Sequence, residues 1–175
     1  KTVADQFAGH ITLFRVYQGV LTSDSTVRNV TRETDERLGS LMSMQGKTAV
    51  PVTEVRAGDL GAVAKLKDAR TGDTLAGPKA GLTFAPMAVP EPVLSYAIEP
   101  KSRGDEDKIS TAMHRLEEED GAIHYARDPN TNELHLSGQG QLHIEVTVAK
   151  LKRRFGVEVL LKPPRIPYRE TITQA

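Results

Sequence analysis

The sequence predicts two domains of different class: an all-β barrel, then an α+β domain of the ferredoxin-like, split βαβ type. Three observations predict this. Residues 7–75 are short β-type runs broken by Gly and Asp turns, and residues 77–92 hold four prolines. From residue 93 onward the order reads strand, helix, strand, strand, helix, strand.

In HITLFRVY (residues 10–17), Ile11, Leu13 and Tyr17 fall on one strand face and Thr12, Phe14 and Val16 on the other. Both faces are mostly apolar, as in a strand covered on both sides. Turn signals such as QG at 18–19, TSDS at 22–25 and AGD at 57–59 recur about every ten residues, and no helical period competes. That pattern favours a small closed barrel over a sandwich, assigned to residues 1–80. In GPKAGLTFAPMAVPEP each proline removes a backbone donor and disfavours helix in the residue before it, so residues 81–92 read as a linker.

The second domain is assigned to residues 93–165. VLSYAIEP (93–100) alternates as a strand. Ile109, Ala112, Met113 and Leu116 then fall at i, i+3, i+4 and i+7, one apolar helix face, with Ser102 or Asp105 as cap and Gly121 closing the end. The acids at 105–107 suit the positive end of the helix dipole. AIHYARD and ELHLSG form a hairpin through PNTN, with His124 and His135 expected to face each other. QLHIEVTVAKLKRRFG is a second helix, with Leu142, Val146 and Ala149 on one stripe and Val148, Leu151 and Phe155 beside it. VEVLLK is the fourth strand, in an antiparallel sheet with both helices on one face. Residues 166–175 lead toward a further domain, and the early first strand reads as a segment of something longer.

Composition excludes several chemistries. With no cysteine there is no thiolate nucleophile, disulfide framework or Cys-type zinc site, which fits a reducing cytoplasm. Lys+Arg and Asp+Glu balance at 23 each, so no global field advertises nucleic acid or an anionic membrane, and any RNA contact must be a local patch. No apolar run is long enough to span a bilayer, and KTVADQF does not resemble a secretory signal.

Two stretches imitate nucleotide loops. In SGQGQLH, Gly138 and Gly140 precede a helix, but the third position of a dinucleotide fingerprint is His143, and Glu158 lies too early in its strand to hold a ribose. The bland reading is a strand-to-helix turn in which glycine permits positive φ, leaving a helix N-terminus near the surface. Gly46, Lys47 and Thr48 resemble the tail of a phosphate loop, but the glycine needed five positions earlier is Leu41, so a hairpin tip is the better reading. Asn29, Val30 and Thr31 match a glycosylation acceptor only by chance.

His143, in the first helical turn, invites a catalytic reading as a small acid/base hydrolase with Glu145, but no nucleophile or firm orienting acid is evident, and a contact role is favoured. The five histidines show no third metal ligand. Glu117 to Asp120 crowd the unfavourable end of their helix and read as a solvated end, with a cationic neighbour as the alternative. Lys150, Lys152, Arg153 and Arg154 suit the end of theirs and could also hold phosphates.

VPEPVLSYAIEPKSRGDEDKISTAMHRLEEED followed by SGQGQLHIEVTVAKLKRRFGVEVLLKPPRIPYRETI resembles the third domain of bacterial elongation factor G. FAGHITLFRVYQGVL with VTEVRAGDLGAVAKLKDARTGDTL resembles the second domain, the barrel shared by translational GTPases. The resemblance implies a noncatalytic segment of a ribosome-dependent GTPase. GTP and magnesium would be held by a GTPase domain outside the segment, with tRNA-mimicking domains after it, and no cofactor or metal within it. Its partners would be small-subunit ribosomal RNA, ribosomal protein and the protein's own GTPase and C-terminal domains, in a cytoplasmic monomer without membrane contact. By position Pro90, Pro92 and His143 match segments lining the interdomain pocket where fusidic acid acts. With Gly138, Gln139, Gly140, Gln141, Lys150, Arg153 and Arg154 they are the contact candidates. The usual family turn is Gly-Met-Gly-Glu-Leu-His; Gln139 and Gln141 depart from it and point to a divergent relative that translocates, recycles or protects ribosomes. A stand-alone RNA- or effector-binding module is the reading from another class.

Overall fold

Short apolar runs separated by tight turns build ten strands among the described residues of the first half: β1 (Thr2–Asp5), β2 (Gly9–Arg15), β3 (Val20–Thr22), β4 (Thr26–Asn29), β5 (Thr34–Arg37), β6 (Leu41–Gln45), β7 (Thr48–Val52), β8 (Glu54–Arg56), β9 (Leu60–Ala64) and β10 (Leu75–Ala76). The structure, a computed structural model, describes residues 1–5, 9–46, 48–78, 81–102, 104–168 and 170–171. Two units divide the chain, Lys1–Ala88 and Val89–Ala175.

In the first unit every pairing is antiparallel, in the orders β1-β2-β9-β6-β7, β10-β4-β5 and β3-β8. The barrel closes on Val16, Val27, Leu38, Leu41, Val55, Val63 and Leu66, with Phe14 and Leu21 against them. β2 differs in part from its expected two-faced burial. Thr12 and Val16 are buried, whereas Tyr17, beyond the strand end, is 66% exposed and carries the Phe84 ring at 4.7 Å. Phe14 faces Gly61 across β2 and β9, and a Cβ at Gly61 would lie 2.6 Å from the ring, so only glycine admits it. Gly46 and Thr48 flank the β6–β7 hairpin tip, while Lys47 lies outside the described residues.

Two buried polar groups tie the loops to the barrel. The Glu36 carboxylate, 2% exposed, accepts the backbone N–H groups of Lys67, Asp68 and Ala69, which satisfies it where water is absent. Asn29 is fully buried and donates to Asp73, so it is no glycan acceptor. Asp73 also accepts from Arg70 N–H and Arg32 Nε.

The second unit follows the expected order: β11 (Leu94–Pro100), α1 (Glu106–Glu119), β12 (His124–Arg127), β13 (Leu134–Gly138), α2 (Gln141–Phe155) and β14 (Val159–Lys162). The sheet order β12-β13-β11-β14 is antiparallel throughout, the ferredoxin-like arrangement. Ile109, Ala112, Met113 and Leu116 of α1 are buried as their spacing predicts, against Ile98, Leu136, Ile144 and Leu151. Asp105 occupies the N-cap position of α1 without a side-chain cap bond; its carboxylate takes Lys108 instead.

Three local expectations are corrected. Gly121 does not close α1 in a left-handed turn; Asp120 ends it in extended conformation. Gly156, with φ of 68°, is the glycine that terminates a helix. His124 pairs with Ser137 and His135 with Ala126, so the two imidazoles do not oppose one another. On α2 the buried face is Ile144, Thr147 and Leu151, whereas Leu142, Val146 and Ala149 are exposed. Thr147 can be buried because its hydroxyl donates to the His143 carbonyl at 2.8 Å.

Burial pushes the Asp73 carboxyl upward, but hydrogen bonds from Asn29, Arg70 and Arg32 outweigh it, holding the carboxyl below its ordinary 3.8. A carboxyl depressed in the folded state stabilises above its unfolded pKa and loses that contribution as pH falls through the folded one. Asp73→Asn is therefore expected to lower the urea midpoint at neutral pH, the gap to the parent closing as pH falls below the carboxyl's ordinary 3.8. Parallel curves over that range would contradict the assignment.

Candidate functional site

Three segments of the second unit converge at one corner: residues 89–93, the end of α1, and the turn from β13 into α2. Chain direction brings them together. β11 pairs with β13, so the entry to one lies beside the exit of the other, and Val93 N–H donates to the Gly138 carbonyl at 3.0 Å.

His143, in the first turn of α2, joins the other two segments. Its Nδ1 accepts the Gln139 backbone N–H at 3.2 Å, and its Nε2 stands 3.1 Å from Asp120 Oδ2. Nδ1 as acceptor fixes the tautomer with the proton on Nε2, which donates to the carboxylate. Asp120 Oδ1 meanwhile accepts Ala122 N–H at 3.1 Å, which aims its second oxygen at the imidazole. Both ring nitrogens are thus engaged. Glu145 is bonded to Gln141 rather than to His143, and the hydrolase reading loses its acid/base pair.

Of the two glycines only Gly138 serves space, and neither supplies left-handed backbone. Gly140 is extended at φ 165°, with nothing within 4 Å of a would-be Cβ, and Gly138 has no positive φ, so the expected left-handed turn is absent. At Gly138 a Cβ would lie 3.2 Å from His143 Nδ1 and 3.3 Å from Ile144 Cγ1. The imidazole occupies the place of a side chain.

Gln139 adds the third segment. Its Nε2 donates to the carbonyls of Pro90 and Glu91, each at 2.8 Å. Pro90 is exposed and Pro92 half-buried, while Val89 packs over Gly121. Beside the corner Leu142 is 73% and Val146 44% exposed.

Lys150, Arg153 and Arg154 lie seven to eleven residues further along α2, roughly 10–17 Å away along the axis. Arg154 and Lys150 reach Glu119, at 2.8 and 3.8 Å, while Arg153 is exposed with no ion pair among the described residues. Lys152 joins Lys101 at Glu158, and their hydrogen bonds and charges draw that carboxyl down to about 2. Glu117 accepts Tyr125 N–H. The acids ending α1 are thus engaged within the unit rather than simply solvated.

Residues 9–76 match the family model described as elongation factor Tu domain 2, and residues 89–163 that of elongation factor G, domain III. The chain carries domains II and III of the elongation factor G-like family of translational GTPases. A crystal structure of a protein from Thermus thermophilus matches 97% of the chain at 32% identity with a TM-score of 0.83, and the chain covers 26% of that protein.

The domain III corner, tested against GTP and magnesium, fits neither. The amide between its glycines is taken by His143, whose ring lies against the place of a Gly138 side chain, and its carboxylate, Asp120, is engaged by that ring. Asp120 is the domain III site residue that sequence reasoning missed, 23 positions from His143 with no periodicity to connect them. Gly138→Ala is expected to cost domain III about 1 kcal/mol through crowding against His143 and Ile144, and Gly140→Ala less than about 0.5 kcal/mol. Thermal or urea unfolding checks both; equal costs would contradict the spatial role of Gly138.

Proposed function

We propose that this chain is the noncatalytic middle of a ribosome-dependent GTPase of the elongation factor G type. The barrel docks on the ribosome, at small-subunit RNA and ribosomal protein, and on the protein's own GTPase domain. Domain III passes the state of that GTPase domain to the C-terminal domains during translocation. GTP and magnesium are assigned to the GTPase domain and to no residue of this chain, and the protein acts as a cytoplasmic monomer.

The observation that carries this reading is the corner held by His143. A relay element must move as one body, and here a single imidazole joins the end of α1 to the start of α2 while Gln139 joins that turn to the domain's entry. Beside this network Leu142 and Val146 leave apolar surface uncovered within the unit, the kind of area a neighbouring domain buries. The basic end of α2 contributes less to RNA docking than its sequence suggests, because a phosphate must compete with Glu119 for Lys150 and Arg154.

A second reading, ribosome protection or recycling, rests on the departure of Gln139 and Gln141 from the turn that the family resemblance implies. Support of peptide elongation by the full-length protein separates translocation from both.

In the full-length protein, His143→Ala is expected to lower ribosome-stimulated GTP turnover several-fold while shifting the melting temperature by only about 2–4 °C. Ribosome-stimulated turnover equal to the parent's would count against the relay.

A further inference from the structure

The proline-rich stretch between the domains looks like a long flexible linker, but it is tied down at points toward both ends. On the barrel side, Phe84 N–H donates to Thr74 Oγ1 at 3.1 Å, and its ring packs on Tyr17. On the other side, Val89 lies over Gly121, the carbonyls of Pro90 and Glu91 accept from Gln139, and Val93 N–H is bonded to Gly138. Only Ala85–Ala88 lies between these anchored segments.

We infer that Gln139 is a positioning residue that latches the entry of domain III to its docking corner and so confines the free interdomain chain to Ala85–Ala88. The two prolines of the entry supply no N–H, so this segment can be held mainly through its carbonyls. A primary amide one helical turn from His143 is suited to hold two adjacent carbonyls, since its NH2 carries two donors. Because the Gln139 backbone N–H is fixed by His143, the latch and the imidazole belong to one connected network. The latch concerns contacts within domain III and stands whatever the corner docks against; only its use in relaying GTPase state rests on the proposed function.

Hydrogen exchange in the full-length protein tests it, with Gln139→Met and Gln139→Glu as variants of similar length that lack the donors. The Val93 amide, which closes the latched segment, is expected to exchange about tenfold faster in both, as the loss of a net hydrogen bond implies. Amides at the centre of β11, such as Ala97 and Ile98, are expected to keep the parent's rates. Unchanged exchange at Val93 would overturn the latch. Acceleration spread evenly through domain III would overturn it too, by making Gln139 a general stabiliser of the fold. A difference between the two variants, with only one accelerating Val93, would point to side-chain bulk or charge rather than the lost donors, and would also refute it.

Discussion

A single imidazole sets the geometry on which the domain III site depends. His143 accepts a main-chain N–H with one nitrogen and donates to a carboxylate with the other, and the two partners lie 4 and 23 residues away in sequence. Geometry of that kind fixes an angle between elements as well as a distance, because the ring is planar and its two nitrogens point in different directions. The end of α1 and the turn entering α2 therefore cannot shift independently without breaking a hydrogen bond. Gly138 is required because a side chain there would displace the ring, and Gln139 is held in the orientation from which its amide reaches Pro90 and Glu91.

Electrostatics complete the frame at the other end of α2. Acids at the close of α1 oppose that helix's dipole, a cost of a few tenths of a kcal/mol per exposed charge. The opposing helix offsets it: Arg154 and Lys150 meet Glu119, whose side chain is only 14% exposed. Two helices whose terminal charges would each read as a ligand-binding patch are thus in part each other's partner. Arg153 keeps its charge outward, at the end of an exposed α2 face that begins with Leu142, Val146 and Ala149.

The domain order and most element types were legible in the sequence, because apolar periodicity of two and of 3.6 residues is a direct record of burial. The α1 face was read correctly for that reason. The α2 face was not, since Thr147 is buried with its hydroxyl satisfied by the helix backbone, while Leu142 and Val146 are apolar and exposed. Hydropathy reads residue type, whereas burial follows geometry. The glycine pair was visible, but the physical reason for Gly138 was not: a positive φ and a missing Cβ leave the same letter in the sequence, and only the distance to His143 separates them. Asp120, like the buried Glu36 with its three main-chain donors, depends on contacts between segments distant in sequence, which no local spacing encodes.

The most direct measurement of the central claim is nitrogen NMR of the His143 ring at neutral pH. A bridging imidazole requires an unprotonated, pyridine-like Nδ1 and a protonated, pyrrole-like Nε2, with a scalar coupling from the Gln139 amide to Nδ1 across the hydrogen bond. A ring with its proton on Nδ1, or one averaging rapidly between tautomers without that coupling, would mean that the imidazole does not join the two helices.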